Sequence, residues 1–239
     1  MKLFKQIFSP QAYGKMLEEI HKMGFSFMIF GEATSRPKNL YLRHDVDICL
    51  EAAYNMAVVE HSKSVRSTFF IMLRSEFYNA YSNESISYIR GIRQLGHEIG
   101  LHYHPGSIQN KKKYQNDEEI QRDFDRLSGI VNDAIVPYFS IHNPVNLDYD
   151  HSSYTFVHDK KFIENMKYIS DSRMFFREGN PLDVFTSGSY ALVQLLIHPI
   201  FWHYGGETLE ASLKVYRDSY LKKIEKKLYD DFNGSLKNP

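Results

Sequence analysis

Five short segments of this chain put carboxylates and imidazoles where a compact apolar run stops. They are His44-Asp45-Val46-Asp47, His102-Tyr103-His104-Pro105, His142-Asn143-Pro144, Ser170-Asp171-Ser172 and His198-Pro199. Asp45 and Asp47 lie two apart, so in extended chain their side chains point the same way and can share a site. Two carboxylates that close repel unless a cation compensates them or one is protonated. Asp47 as a metal ligand with Asp45 beside it as a base relieves that repulsion. The purely structural alternative makes Asp47 the cap of a following helix and pairs Asp45 with Arg43. His102 and His104 share the same two-residue spacing and can face one point. Two neutral imidazoles plus one carboxylate leave coordination positions open for water and substrate, as catalytic divalent-metal sites require. His97, at the start of the same run, is read as structural.

The elements that must position these groups follow from apolar periodicity. Ser9-Pro10 reads as a helix N-cap followed by proline at the first helical position, and Leu17, Ile20 and Met23 supply an apolar stripe that Gly24 closes. Strands are expected over Phe25 to Phe30, Leu40 to Arg43, Ser67 to Leu73, His97 to Leu101 and Val136 to Ile141. Helices are expected between them, over Glu51 to Glu60, Glu84 to Leu95 and Asp117 to Val131, the last capped by Asn116. Beyond Asn143, Tyr168 to Ile169 and Ala191 to Ile197 read as buried strands. Such alternation predicts a parallel sheet, in which the loops after the strands' C-terminal ends share one face. The five polar segments therefore meet at one rim. From Glu207 to about Asp231 an amphipathic helix with Leu209, Leu213, Tyr216, Tyr220, Ile224 and Leu228 is expected as a terminal brace. The reading is one domain over residues 1–239, with a core from about 40 to 202.

Composition narrows the partners. The chain has 239 residues with 29 lysines plus arginines and 29 aspartates plus glutamates, so no global field draws it to nucleic acid or an anionic membrane. The basic run Lys111-Lys112-Lys113 reads as a solvated loop. A lone Cys49 excludes an internal disulfide, and the start MKLFKQIFSP lacks the continuous apolar run of a secretory signal, so a cytoplasmic location is expected. Eleven histidines, several beside carboxylates or each other, make metal or acid/base chemistry the expectation.

Taken together, LRHDVD at Leu42 to Asp47, STFFIML at Ser67 to Leu73, LGHEIGLHYHP at Leu95 to Pro105, SDS at Ser170 to Ser172 and LLIHP at Leu195 to Pro199 resemble the polysaccharide deacetylases. These are carbohydrate esterases that include chitooligosaccharide and peptidoglycan deacetylases. The resemblance runs from about Leu40 to Trp202 and implies a distorted parallel (β/α) barrel. It further implies Asp45 as general base, Asp47 and His102 as ligands of one divalent metal, and His198 as general acid. Zinc leads the candidates for the metal, with cobalt, nickel, iron and manganese also compatible with these ligand types. The second histidine ligand of the family falls four residues after the first, where this chain has Gly106. His104 stands as the compensating ligand with a shortened loop, and His142 is the other candidate. The family's arginine, which follows a later strand and steadies the base, is replaced here by Phe139-Ser140-Ile141-His142-Asn143-Pro144.

The function so implied is removal of an N-acetyl or similar acyl group from an amino sugar, on a small molecule or oligosaccharide of bacterial surface-glycan biosynthesis. His142, Asp171, Arg43 and Tyr103 are candidates for orienting the base, the acid or a sugar hydroxyl, and Trp202, Tyr103 and Phe139 for stacking on a sugar ring or filling the core. Two other classes fit parts of the pattern. One is a catalytically inactive glycan- or partner-binding protein on the same barrel. The other is a non-haem iron oxygenase, since two histidines and a carboxylate also hold iron(II).

Overall fold

The computed structural model of the protein describes residues 7–32, 36–104, 117–142, 154–157 and 164–236. Its centre is an eight-stranded, wholly parallel sheet: β1 (Ser26–Met28), β2 (Asn39–Val46), β3 (Thr68–Ile71), β4 (Glu98–Tyr103), β5 (Tyr138–Ile141), β6 (Thr155–Phe156), β7 (Lys167–Ser170) and β8 (Leu192–Ile197). The strand order is β6-β5-β4-β3-β2-β8-β7, and β1 pairs with the first half of β2 while β3 pairs with its second half. The sheet curls into a half-barrel flanked by helices, a distorted (β/α) barrel. Among the described residues β6 and β7 end this path, and β1 pairs with β2 alone.

The helices are α1 (Pro10–Lys22), α2 (Leu50–Ser62), α3 (Asn83–Gln94), α4 (Asp117–Val131), α5 (Pro181–Thr186), α6 (Pro199–Tyr204) and α7 (Leu209–Leu236). Ser9 caps α1 through the Ala12 N–H at 3.1 Å, leaving one fewer orphan donor in the first turn. The capping position Asn116 and the run Lys111 to Lys113 lie outside the described residues. β6, α5 and α6 are elements that the periodicity does not announce, being only two to six residues long. α7 ties back to the barrel through Lys223, which pairs with Glu51 of α2 at 3.0 Å and with Glu84 of α3. No helix among the described residues is long and apolar enough to cross a membrane.

Alternation along the strands splits the side chains into two layers. On β2, Leu40 and Leu42 face the helices together with Leu17, Ile20 and Trp202, whereas Tyr41 faces the barrel interior with Phe30, Phe70 and Val157. Arg43 and Asp45 continue the inward row above Tyr41, so the same strand that builds the inner core also delivers the polar site. Gly100 of β4 serves this inner layer. A Cβ there would lie 2.6 Å from the Phe70 ring, and that ring lies beneath the Arg43 guanidinium, 5.5 Å from its centroid. Glycine is required because the barrel interior has no room for both groups.

The outward face of β2 carries a second polar group. His44 is fully buried against the Phe69 ring at 4.2 Å, and its Nε2 lies 2.5 Å from the Glu60 carboxylate of α2. Tyr13 of α1 and Ser67 also donate to Glu60. His97, likewise fully buried, meets Ser67 at 3.1 Å and the Ala57 carbonyl at 3.1 Å. A buried carboxylate so well supplied with donors is stabilised as an anion, and it fastens α1 and α2 to the sheet behind the site.

Candidate active site

The motif His44-Asp45-Val46-Asp47 is not a loop after its strand. β2 runs on through Val46, because β3 continues to pair with residues 43–46 after β8 has ended opposite His44. Tyr78 donates to the Val46 carbonyl at 2.8 Å and Ser75 to the Asp47 carbonyl at 2.7 Å, fixing the exit of the strand. Asp45 is thus held in regular strand geometry, and Asp47 projects from the strand's end.

Asp47, His102 and His142 form one cluster in which a ligand atom of each lies within 4.8 Å of the others. His102 Nε2 is 2.9 Å from Asp47 Oδ1, and His142 Nδ1 is 3.1 Å from the same oxygen. Two imidazole nitrogens and a carboxylate oxygen converging on one point fit a divalent cation by donor type. The His102 and His142 hydrogen bonds outweigh burial and hold the Asp47 carboxyl far below the usual range. The hydrogen bond to Asp47 raises His142.

His104, read from its spacing as the companion of His102, does not join this cluster. β4 ends at Tyr103, so the alternation that would aim residue 104 with residue 102 has lapsed. The His104 ring instead stacks on His142, with centroids 5.2 Å apart. The geometry therefore brings His142, rather than His104, together with Asp47 and His102.

Asp45 is 4% exposed and ion-paired side-on with Arg43, itself 1% exposed. Arg43 Nε donates to Oδ1 at 2.8 Å and Nη2 to Oδ2 at 2.6 Å. Gln194 of β8 accepts from Arg43 Nη1 at 3.1 Å and donates to the Val157 carbonyl. Burial alone would raise the Asp45 carboxyl, but Arg43 and His102 hold it well below the ordinary carboxylate range. An arginine thus does steady Asp45, from β2 itself. The place after Phe139 is taken by Ser140, whose hydroxyl reaches Asp45 Oδ1 at 3.2 Å.

On the other side of Asp47 stands His198, at the end of β8. Its Nδ1 is 2.6 Å from Asp171 Oδ1, and its Nε2 is 3.7 Å from Asp47 Oδ2. Asp171 is fully buried. It accepts from the His198 backbone N–H at 3.0 Å and from Trp202 Nε1 at 2.8 Å. Burial would lower His198, but Asp171 prevails and pushes it up to about 9. A carboxylate and an imidazolium thus adjoin the Asp47, His102 and His142 cluster at neutral pH.

One expectation about a supporting residue needs correction. Tyr103 does not line the site, because alternation turns it away from His102 into the helix-facing core, where its hydroxyl donates to Glu119 at 2.9 Å. Of the two roles open to Phe139 and Trp202, core and sugar stacking, the structure gives the core one, since both are fully buried. Conversely, Ser140 and Gln194 were not singled out from the sequence. Each is a polar residue inside an otherwise apolar strand, and that is the signal that could have found them.

No protein-family model matches the chain, and no curated protein matches it in sequence. Solved structures similar to it include a chitin deacetylase from the fungal pathogen Colletotrichum lindemuthianum, with TM-score 0.46 and 16% identity over 80% of this chain and 86% of that one. A peptidoglycan deacetylase from Bacillus subtilis gives TM-score 0.46 and 11% identity over 85% and 99% of the two chains. A carbohydrate esterase family 4 pseudoenzyme from Bacillus anthracis gives TM-score 0.43 and 16% identity, with 82% of this chain covered. This chain spans 63% of that pseudoenzyme's length, and 65% of a mutant form with restored enzymatic activity.

Proposed function

We propose that the protein is a metal-dependent hydrolase that removes an N-acetyl or similar acyl group from an amino sugar destined for a surface polysaccharide. One observation carries the reading. A carboxylate, Asp45, and an imidazolium, His198, both adjoin an Asp47-His102-His142 cluster, 3.7 Å from His102 and 3.7 Å from Asp47 respectively. That pairing matches the two proton transfers of amide hydrolysis, one from water and one to the departing amine. The motif resemblance to polysaccharide deacetylases supports the same reading.

Asp47, His102 and His142 would hold the cation, with zinc the first candidate. Such an ion supplies a polarised carbonyl and a water acidified towards neutrality. Asp45, held ionised by Arg43, accepts the water's proton. His198, held protonated by Asp171, delivers its Nε2 proton to the amine nitrogen, which is too basic to depart as an anion. The Asp171 carboxylate takes the Nδ1–H bond and keeps the ring aimed at Asp47.

Acetate release from N-acetylated amino sugars, measured for the wild type, Asp45→Asn and His198→Gln, tests this reading. Turnover that falls by about 10²- to 10⁴-fold in each variant, with metal content retained, supports it. Glycan binding without acetate release from any such substrate would shift the assignment to a binding protein.

A further inference from the structure

We propose that Ser140 is a positioning residue that fixes the ring of His102 as a metal ligand and ties it to Asp45. The inference rests on the metal site just described. β4 and β5 pair in parallel with His102 directly opposite Ser140. Ser140 is fully buried and His102 is 2% exposed. The Ser140 Oγ lies 2.6 Å from His102 Nδ1 and 3.2 Å from Asp45 Oδ1.

Proton counting settles the direction of both bonds. Asp45 is clamped by two Arg43 N–H groups, so it is a carboxylate and only accepts. A serine hydroxyl has one proton, and giving it to Asp45 leaves Oγ as the acceptor for His102. The Nδ1 of His102 must then carry a proton, so that Nε2, which donates to Asp47 when no cation is bound, is the nitrogen whose lone pair would be released to a bound cation. That nitrogen is the one facing Asp47, at 2.9 Å. Ligating imidazoles commonly need such a partner on the far nitrogen to set tautomer and ring angle. Here one hydroxyl serves the ligand and the base together. It extends a buried chain from Gln194 through Arg43, Asp45 and Ser140 to His102, across β8, β2, β5 and β4.

Zinc affinity, measured by competition with a chromophoric chelator, and the ring N–H proton resonance of His102 in the zinc-loaded protein test this role. Ser140→Ala is expected to bind zinc about 10- to 100-fold more weakly and to lose the exchange-protected Nδ1–H signal. Ser140→Thr, which keeps the hydroxyl, is expected to restore both. A Ser140→Ala protein with wild-type affinity and an unchanged N–H signal would overturn the inference while leaving the metal site intact. A wild-type protein that binds no zinc would overturn the site itself. If Ser140→Ala fails to fold, Ser140→Cys replaces it, with a weak thiol in place of the hydroxyl and the same expected direction of loss.

Discussion

Arg43 and Asp45 sit two residues apart on β2 and meet side-on, with the guanidinium donating to both carboxylate oxygens at 2.8 and 2.6 Å inside the barrel. The structural pairing of these two residues is thus present, and it is compatible with the proposed role of Asp45 as base. The ion pair keeps the carboxylate charged in a place where burial would neutralise it, and it leaves one lone-pair direction on Oδ2 for a further partner.

Removing Arg43 strands a buried carboxylate. Arg43→Met is expected to destabilise the fold by about 3–5 kcal/mol, the range for breaking a buried pair on one side. Denaturant unfolding checks this, and the double variant with Asp45→Leu should recover much of the loss. A single variant as stable as the wild type would deny the pair its structural weight.

Asp171 is expected to set the alkaline side of the activity profile. With it present, His198 keeps its proton up to about pH 9. Asp171→Asn removes the charge that raises His198, so the alkaline limb of kcat/KM should move down by about one to three pH units. An unmoved limb would mean that His198 is not the group titrating there.

Glu60 is a pH lever on stability rather than on chemistry. Burial raises its carboxyl, but His44, His97 and Ser67 bring it below its ordinary value. Its contribution is therefore present above about pH 4.5 and lost as pH falls through the lowered folded value. Glu60→Gln should cost stability at neutral pH and flatten the acid limb of the stability curve, as followed by thermal unfolding between pH 3 and pH 7. A parallel loss at every pH would contradict the linkage.

Gly100→Ala drives a methyl group to 2.6 Å from the Phe70 ring. The expected loss is about 1–3 kcal/mol from overpacking. Because Phe70 lies beneath Arg43, the variant should also lower turnover, and Phe70→Leu added to it should relieve both effects.

Much of this architecture is legible in the sequence because strand and helix periods are strong signals. The alternation of apolar runs anticipates β2 to β5 and α1 to α4, and the segments at their ends converge as expected. What spacing cannot convey is where a strand stops. His104 is two residues from His102 yet lies past the end of β4, whereas His142, one residue past the end of β5, reaches Asp47 through a contact set by tertiary register. Tyr103 fails for the complementary reason, since its place inside β4 fixes it on the outward face. Ser140 and Gln194 look like ordinary polar breaks in apolar runs until their partners on neighbouring strands are known.

Metal stoichiometry, measured on protein purified without a histidine tag and loaded with one equivalent of zinc, decides whether Asp47, His102 and His142 hold the ion. Wild type is compared with Asp47→Ala, His142→Ala and His104→Ala. The account predicts about one bound ion in the wild type and in His104→Ala, and weak or absent binding in Asp47→Ala and His142→Ala. Retention of the ion in His142→Ala with loss in His104→Ala would contradict it.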